Sequence, residues 1–203
     1  MPNIKGEKMK LILASKSPRR IEMLRALGLS PEIIPAEVDE NIDDFVRQPE
    51  RAVCELSGRK AHKIYETAGN DALIIAADTL VYIGDKLLGK PRDEDEAREM
   101  LHALSGSSHE VYTGISVICG GRLATHCEKT TVYFRSLSER EIDEYISSGE
   151  PMDKAGAYGI QGTGALFVKG ICGDYFNVVG LPISALFELI EKEFGIVYSA
   201  LKN

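Results

Sequence analysis

The sequence predicts an α/β protein with a mixed β-sheet flanked by helices, and three observations carry that prediction. Apolar strand-like runs alternate with segments of helical period along the 203 residues. Residues 72–77, Ala-Leu-Ile-Ile-Ala-Ala, form a continuous apolar run, as expected of a strand covered on both faces. Gly120-Gly121 lies between two strand patterns and marks a hairpin, so the sheet is not purely parallel. With 44% hydrophobic and 27% charged residues, the chain has the composition of a globular protein with a substantial core, expected as one domain or one of lobed shape.

In chain order, residues 9–14 read as a strand, and Ile21, Met23, Leu24 and Leu27 then repeat at helical spacing up to Gly28. Ser17 suits the N-cap of that helix and Pro18 its first position. Residues 31–36 read as a second strand, followed by the acidic run 37–40. A helix begins near Pro49, with Ala52, Val53, Leu56 and Ala61 on one side and Arg59-Lys60 near its middle. The strand 72–77 ends in Asp78, and 79–83 continues it to a turn at Gly84-Asp85, ahead of Leu87-Leu88-Gly89-Lys90-Pro91. Residues 93–104 make a helix with an acidic front, complementary to its positive dipole end, and Gly106 follows it. Strands 110–119 and 122–134 flank the Gly-Gly hairpin. Ser138 and Glu141 form a capping box for a helix closed by Gly149. Residues 151–164, rich in Gly and Ala, read as a long shaped loop, and such loops are usually functional or disordered. Two short strands around Gly173-Asp174 and a helix over Ile183–Phe194 complete the chain.

The net charge of −7 argues against a protein that grips a nucleic-acid backbone, which normally takes a basic face. No stretch approaches the length of a membrane span, and the N-terminus has no apolar signal region, so the cytoplasm is the expected compartment. Cys54, Cys119, Cys127 and Cys172 form no CxxC pair and no zinc-type spacing with the four histidines. His126-Cys127 invites a catalytic reading, but strand neighbours point to opposite faces.

Four places can carry chemistry. At Ser15-Lys16-Ser17-Pro18-Arg19-Arg20, helix N–H groups, a positive dipole end, hydroxyls and two guanidinium groups meet, which makes an anion site. The plain alternative is a capped helix with two solvated arginines. Neither the Walker-type phosphate loop nor the dinucleotide glycine fingerprint is present. Asp78 follows six apolar residues, where a carboxylate is costly unless paired, hydrogen-bonded or bound to metal. Glu37, Glu40, Lys60 and Lys90 each read singly as surface charges. In the run 154–162, glycines permit close backbone approach, and Gln161 offers a donor and acceptor that suit a nucleobase edge. A flexible surface loop is the competing reading.

Together, Leu13-Ala14-Ser15-Lys16-Ser17-Pro18-Arg19-Arg20, Arg59-Lys60-Ala61, Ala77-Asp78-Thr79, Gly89-Lys90-Pro91-Arg92-Asp93 and Asp153-Lys154-Ala155-Gly156-Ala157-Tyr158-Gly159-Ile160-Gln161-Gly162 resemble the Maf family in residue type, order and spacing. Leu104-Ser105-Gly106 and Val179-Gly180-Leu181-Pro182 add to the match, which runs from about residue 10 to about residue 194. Residues 1–8 look like an N-terminal extension to a single Maf-like domain over 1–203.

The resemblance implies an α/β fold similar to that of inosine triphosphate pyrophosphatases. It also implies cleavage of a nucleoside triphosphate between its α and β phosphates, with a divalent cation, Mg²⁺ or Mn²⁺, as cofactor. Tyr158-Gly159-Ile160-Gln161-Gly162 looks like the branch acting on dTTP and UTP, and modified pyrimidine triphosphates fall within the same expectation. Lys16 occupies a variable position of the family's first motif. The family's proton acceptor falls on Asp78, while Arg19, Thr79 and Gln161 fall on positions associated with substrate choice. Ser15, Arg20, Glu40, Lys60 and Lys90 match other active-site positions, with Glu37 a competing choice for Glu40; the hard carboxylate oxygens of Glu40 and Asp78 suit them as the expected metal ligands. The expected partner is the nucleotide, with neither nucleic acid nor membrane, and a homodimer is the expected option for assembly. A nucleotide-binding regulator of septum formation without turnover is the alternative.

Overall fold

The computed structural model describes residues 9–202, so the expected extension at 1–8 lies outside the described residues. The described chain forms two compact units, one from residues 9–78, 113–128 and 180–202, the other from residues 79–112 and 129–179. The strand order is β2 (Glu32–Ile33), β1 (Lys10–Leu13), β3 (Ala72–Ile83), β5 (Ser108–Cys119), β6 (Arg122–Phe134) and β7 (Val168–Cys172), with β4 (Lys86–Leu88) pairing β3 off this path. Parallel and antiparallel pairs both occur, which makes the sheet mixed, as the sequence predicts.

In the first unit, β1 (Lys10–Leu13) pairs in parallel with β2 (Glu32–Ile33) and with the start of β3 (Ala72–Ile83). The expected strand 31–36 is only two residues long. Pro31 and Pro35 bracket it, and a residue without an N–H cannot extend the ladder. Helix α1 (Pro18–Ala26) starts where its proline indicates. Ser17 takes the N-cap position with extended backbone, but its side chain makes no cap hydrogen bond.

Helix α2 (Pro49–Ala68) buries Ala61 and Ile64 in a cluster with Ile12, Ile74, Ala76 and Ile118. Its approach to β5 (Ser108–Cys119) is very close. A Cβ on Gly114 would lie 2.2 Å from the Val53 carbonyl oxygen, and Ser57 and Ser116 share a buried hydrogen bond of 2.8 Å. Residues 72–77 of β3 are all buried, the state that their uninterrupted apolar run predicts.

The second unit holds the end of β3, β4 (Lys86–Leu88), α3 (Glu94–Leu104), the end of β6 (Arg122–Phe134) and α4 (Glu139–Ser147). Asp93 caps α3 by accepting the Glu96 N–H at 2.8 Å, and the Ser138–Glu141 capping box starts α4. The core of this unit gathers Leu101, Leu104, Val132, Phe134, Tyr145 and Tyr158, among others. The expected loop over 151–164 is ordered into short 3-10 turns at Glu150–Asp153, Ala155–Ala157 and Gly162–Phe167.

One expectation fails here. Only one strand, β7 (Val168–Cys172), stands beside Gly173-Asp174, and residues beyond it form α5 (Tyr175–Val179). The β-prone composition of Tyr-Phe-Asn-Val-Val is overridden by Asp174, whose Oδ1 accepts the Phe176 N–H at 2.8 Å and turns the chain into a helix. Helix α6 (Ile183–Phe194) has the bounds that the sequence indicates and belongs to the first unit.

Candidate active site

The first unit brings six of the sequence-predicted residues into play. Just past β1, Ser15 is buried, and its Oγ accepts the Ser17 N–H at 3.2 Å and an Arg20 Nη1–H at 3.4 Å. Arg20 also donates from Nε to the Gly180 carbonyl at 2.7 Å, so the guanidinium ties the start of α1 to the segment leading into α6. Arg20 keeps some exposed surface, but its guanidinium is surrounded by protein. Burial pushes its pKa below the ordinary value. The Asp78 and Glu40 carboxylates oppose that shift, and the neighbouring Arg19 adds to it. An arginine remains a cation at neutral pH regardless.

Lys60, on α2, and Asp78, at the end of the buried run of β3, meet with 2.5 Å between Nζ and Oδ1. The same ammonium lies 2.8 Å from Glu40 Oε1. Side-chain exposure is 12% for both Lys60 and Asp78 but 64% for Glu40, so the inner pair is sheltered and the outer carboxylate reaches in from solvent. A carboxylate closing an apolar strand needs a partner, and Lys60 supplies it.

A cation is therefore favourable between Glu40 and Asp78, and hard carboxylate oxygens suit Mg²⁺ or Mn²⁺. Among the described residues no group of three or more His, Cys, Asp or Glu side chains converges to hold a metal. A divalent ion on these two carboxylates would complete its shell with water and ligand oxygens, the usual arrangement for Mg²⁺ with phosphates.

Thr79, Lys90 and Gln161 belong to the second unit. Thr79 is partly exposed, while Lys90 and Gln161 are exposed. The Gly156 N–H donates to the Gly89 carbonyl at 3.0 Å, which fixes the turn at Ala155–Ala157 beside the residue preceding Lys90. Glu150 accepts backbone N–H groups from Thr163 and Gly164, just beyond Gln161. Sequence reasoning missed both Glu150 and the Gly180 carbonyl. The available signal for the first was an acid directly after the helix-closing Gly149 and ahead of a glycine-rich run.

The cysteines stay outside this chemistry. Burial, with nearby Cys54, Glu50 and Glu128, pushes the Cys127 thiol up to about 12, and His126 faces Glu128 instead, at 3.3 Å. A groove of about 550 Å³ along α2, lined by Arg51, Cys54, Arg59 and His62 with Leu123 and Thr125 of β6, contains none of the predicted site residues. No helix among the described residues is long and apolar enough to cross a membrane.

Fold and cluster define an α/β protein in which Arg20, Lys60, Glu40 and Asp78 gather opposite charges at the end of the buried run of β3. Residues 10–193 match the family model described as Maf-like protein, and the chain belongs to the Maf family. A dTTP/UTP pyrophosphatase from Thermoanaerobacter sp. (strain X514) is 49% identical over 190 residues, covering 93% of this chain and 98% of the relative. One from Bacillus cereus is 49% identical over 192 residues, 94% of this chain and 93% of the relative. One from Clostridium perfringens is 47% identical over 186 residues, 91% and 97% respectively. A solved nucleoside-triphosphatase / dITP/XTP pyrophosphatase from Mycobacterium abscessus shares 13% identity and a TM-score of 0.40 over 64% of this chain and 76% of its own.

Proposed function

We propose that the protein is a nucleoside triphosphate pyrophosphatase that hydrolyses dTTP and UTP to the monophosphate and pyrophosphate. The observation that carries this reading is the Lys60 ammonium held between Glu40 and Asp78, with Arg20 in the same electrostatic neighbourhood. The names of relatives nearly half identical along almost their whole length support the substrate class.

In the proposed reaction, Asp78 accepts a proton from a water whose oxygen attacks the α phosphorus. The bond from that phosphorus to the bridging oxygen breaks, and its electron pair leaves with pyrophosphate. Arg19, Arg20, Lys60 and Lys90 offset the charge of the triphosphate, the arginines as forked donors and the lysines as point charges. The Ser15 hydroxyl lines the same helix start. Mg²⁺ or Mn²⁺ on Glu40 and Asp78 would neutralise phosphate charge and acidify bound water. Thr79, Arg19 and Gln161 bear on substrate choice, the Gln161 amide offering a paired donor and acceptor to a pyrimidine edge. The proposed setting is the cytoplasm, with no engagement of nucleic acid or membrane.

The test is pyrophosphate release by the purified protein from dTTP, UTP and GTP with Mg²⁺ and with Mn²⁺. Metal-dependent release that favours dTTP and UTP is expected. Nucleotide binding without release would replace the enzyme with a nucleotide-responsive regulator.

A further inference from the structure

The glycine-rich segment after α4 is built for close approach, and what approaches it is the protein's own Glu150. Gly149, at φ 73, ends the helical run and turns the chain so that Glu150 follows it. The Glu150 carboxylate then takes three hydrogen bonds. Its Oε2 accepts the Thr163 N–H at 3.1 Å, and its Oε1 accepts the Gly164 N–H at 3.3 Å and the Tyr145 hydroxyl at 3.0 Å. The Tyr145 oxygen accepts in turn from the Gly159 N–H at 3.1 Å. Gln161 is thus tied on both sides, at Gly159 two residues before it and at Thr163 two residues after.

The glycines are what this cradle requires. A Cβ on Gly164 would lie 2.4 Å from the Gly159 carbonyl oxygen and 2.7 Å from the Tyr145 hydroxyl. One on Gly162, whose φ is +75, would lie 3.0 Å from Glu150 Oε1. Tyr145 is only 2% exposed and packs edge-on against Phe167 with 4.9 Å between ring centroids, so the bridging phenol has a fixed place. Burial raises the Glu150 pKa, but the Thr163 and Gly164 N–H groups, the Tyr145 hydroxyl and Lys154 outweigh it, and the net shift is downward. The carboxylate is therefore ionised at neutral pH, the form that accepts these bonds best.

We propose that Glu150 is a positioning residue for substrate choice, holding residues 159–164 through Tyr145 and the backbone so that Gln161 presents its amide in one geometry. The inference rests on the pyrophosphatase reading for the role of Gln161. An exposed amide that discriminates bases must be fixed by its supports, because misplacement by about 1 Å is enough to lose much of the effect.

The test compares wild type with Glu150→Gln, which keeps the volume but replaces one acceptor oxygen by a donor, Glu150→Ala, and Tyr145→Phe. Amide hydrogen exchange over 159–164 is measured without nucleotide, thermal unfolding is followed in parallel, and kcat and KM are determined for dTTP, UTP and GTP. Faster exchange in this segment is expected, with KM for dTTP and UTP raised about tenfold, kcat little changed and GTP much less affected. Unchanged exchange in Glu150→Ala overturns the inference, as does a uniform loss across the three nucleotides in step with thermal stability. Failure of the underlying reading looks different: wild type releases no pyrophosphate, or Gln161→Ala leaves the dTTP-to-GTP ratio unmoved. The exchange data, which need no nucleotide, still decide whether Glu150 holds the segment.

Discussion

Lys60 Nζ lies 2.5 Å from Asp78 Oδ1 and joins the middle of α2 to the last buried residue of the β3 run. The pairing sets a cation against the Asp78 carboxylate where the end of an apolar run offers no other solvation. Asp78→Asn keeps the shape and a carbonyl oxygen toward Lys60 but cannot take a proton. Turnover is expected to fall about 10²-fold or more, with nucleotide affinity largely intact. Pyrophosphate release and calorimetric binding on the same preparation check this, and near-normal release would remove Asp78 from the role of base.

Lys60→Met takes the ammonium out from between two carboxylates. Removing one partner of a sheltered ion pair strands the other charge, and a loss of about 2 kcal/mol is expected, below the range for fully buried pairs because Glu40 is mostly solvated. The two carboxylates then lose the Lys60 ammonium and keep only the more distant influence of Arg20, so Mg²⁺ should raise the melting temperature of the variant more than that of wild type. Equal shifts in the two proteins would count against Glu40 and Asp78 as the cation ligands.

What the sequence disclosed follows the range of the interactions. The apolar run 72–77, the Pro18 start of α1 and the Ser138–Glu141 capping box rest on neighbours in the chain, and they were readable. The convergence of Glu40, Lys60 and Asp78 joins three separate segments, so Asp78 stands out only through its apolar run, while Glu40 and Lys60 read singly as surface charges until the resemblance groups them. Glu150 was hidden for a different reason. Its partners are backbone N–H groups, which every residue carries and no motif records. The helix at Tyr175–Val179 was hidden by β-prone side chains, since the Asp174 cap that decides it is one short contact.

Gly114 and Gly58 make a matched pair across the α2–β5 contact. A Cβ on Gly114 would meet the Val53 carbonyl carbon and oxygen at 2.3 and 2.2 Å, backbone atoms that cannot turn aside. Gly114→Ala is expected to cost about 3 kcal/mol or more, at or beyond the upper end for overpacking. It should also lower turnover in the molecules that still fold, because α2 carries Lys60. A Cβ on Gly58 meets only Ser116 Oγ, at 3.9 Å, so Gly58→Ala should be neutral or stabilise the helix by about 0.5–1 kcal/mol. Urea unfolding of the two variants beside wild type measures the contrast, and similar stabilities would mean that α2 and β5 are less tightly apposed.

His109 sets a pH dependence of stability. It is 1% exposed, and its Nε2 lies 2.7 Å from the Tyr158 hydroxyl, while its ring packs edge-on against Phe134 and Tyr158. Its Nδ1 has no hydrogen-bond partner among the described residues. Burial holds its pKa down at about 4, against 6.5 for an unburied imidazole. Between those values the unfolded chain binds a proton that the folded chain refuses, so the contribution is complete above pH 6.5 and is lost as the pH falls toward 4. The shift corresponds to at most about 3 kcal/mol over that window. His109→Phe should cost about 1–2 kcal/mol at pH 7, because the Tyr158 hydroxyl loses its partner. The same variant should lose less stability than wild type on going from pH 7 to pH 4.5. Urea unfolding at both pH values for both proteins gives that difference directly, with the carboxylates common to the two cancelling. Parallel losses would show that His109 accepts a proton in the folded state as readily as in the unfolded chain.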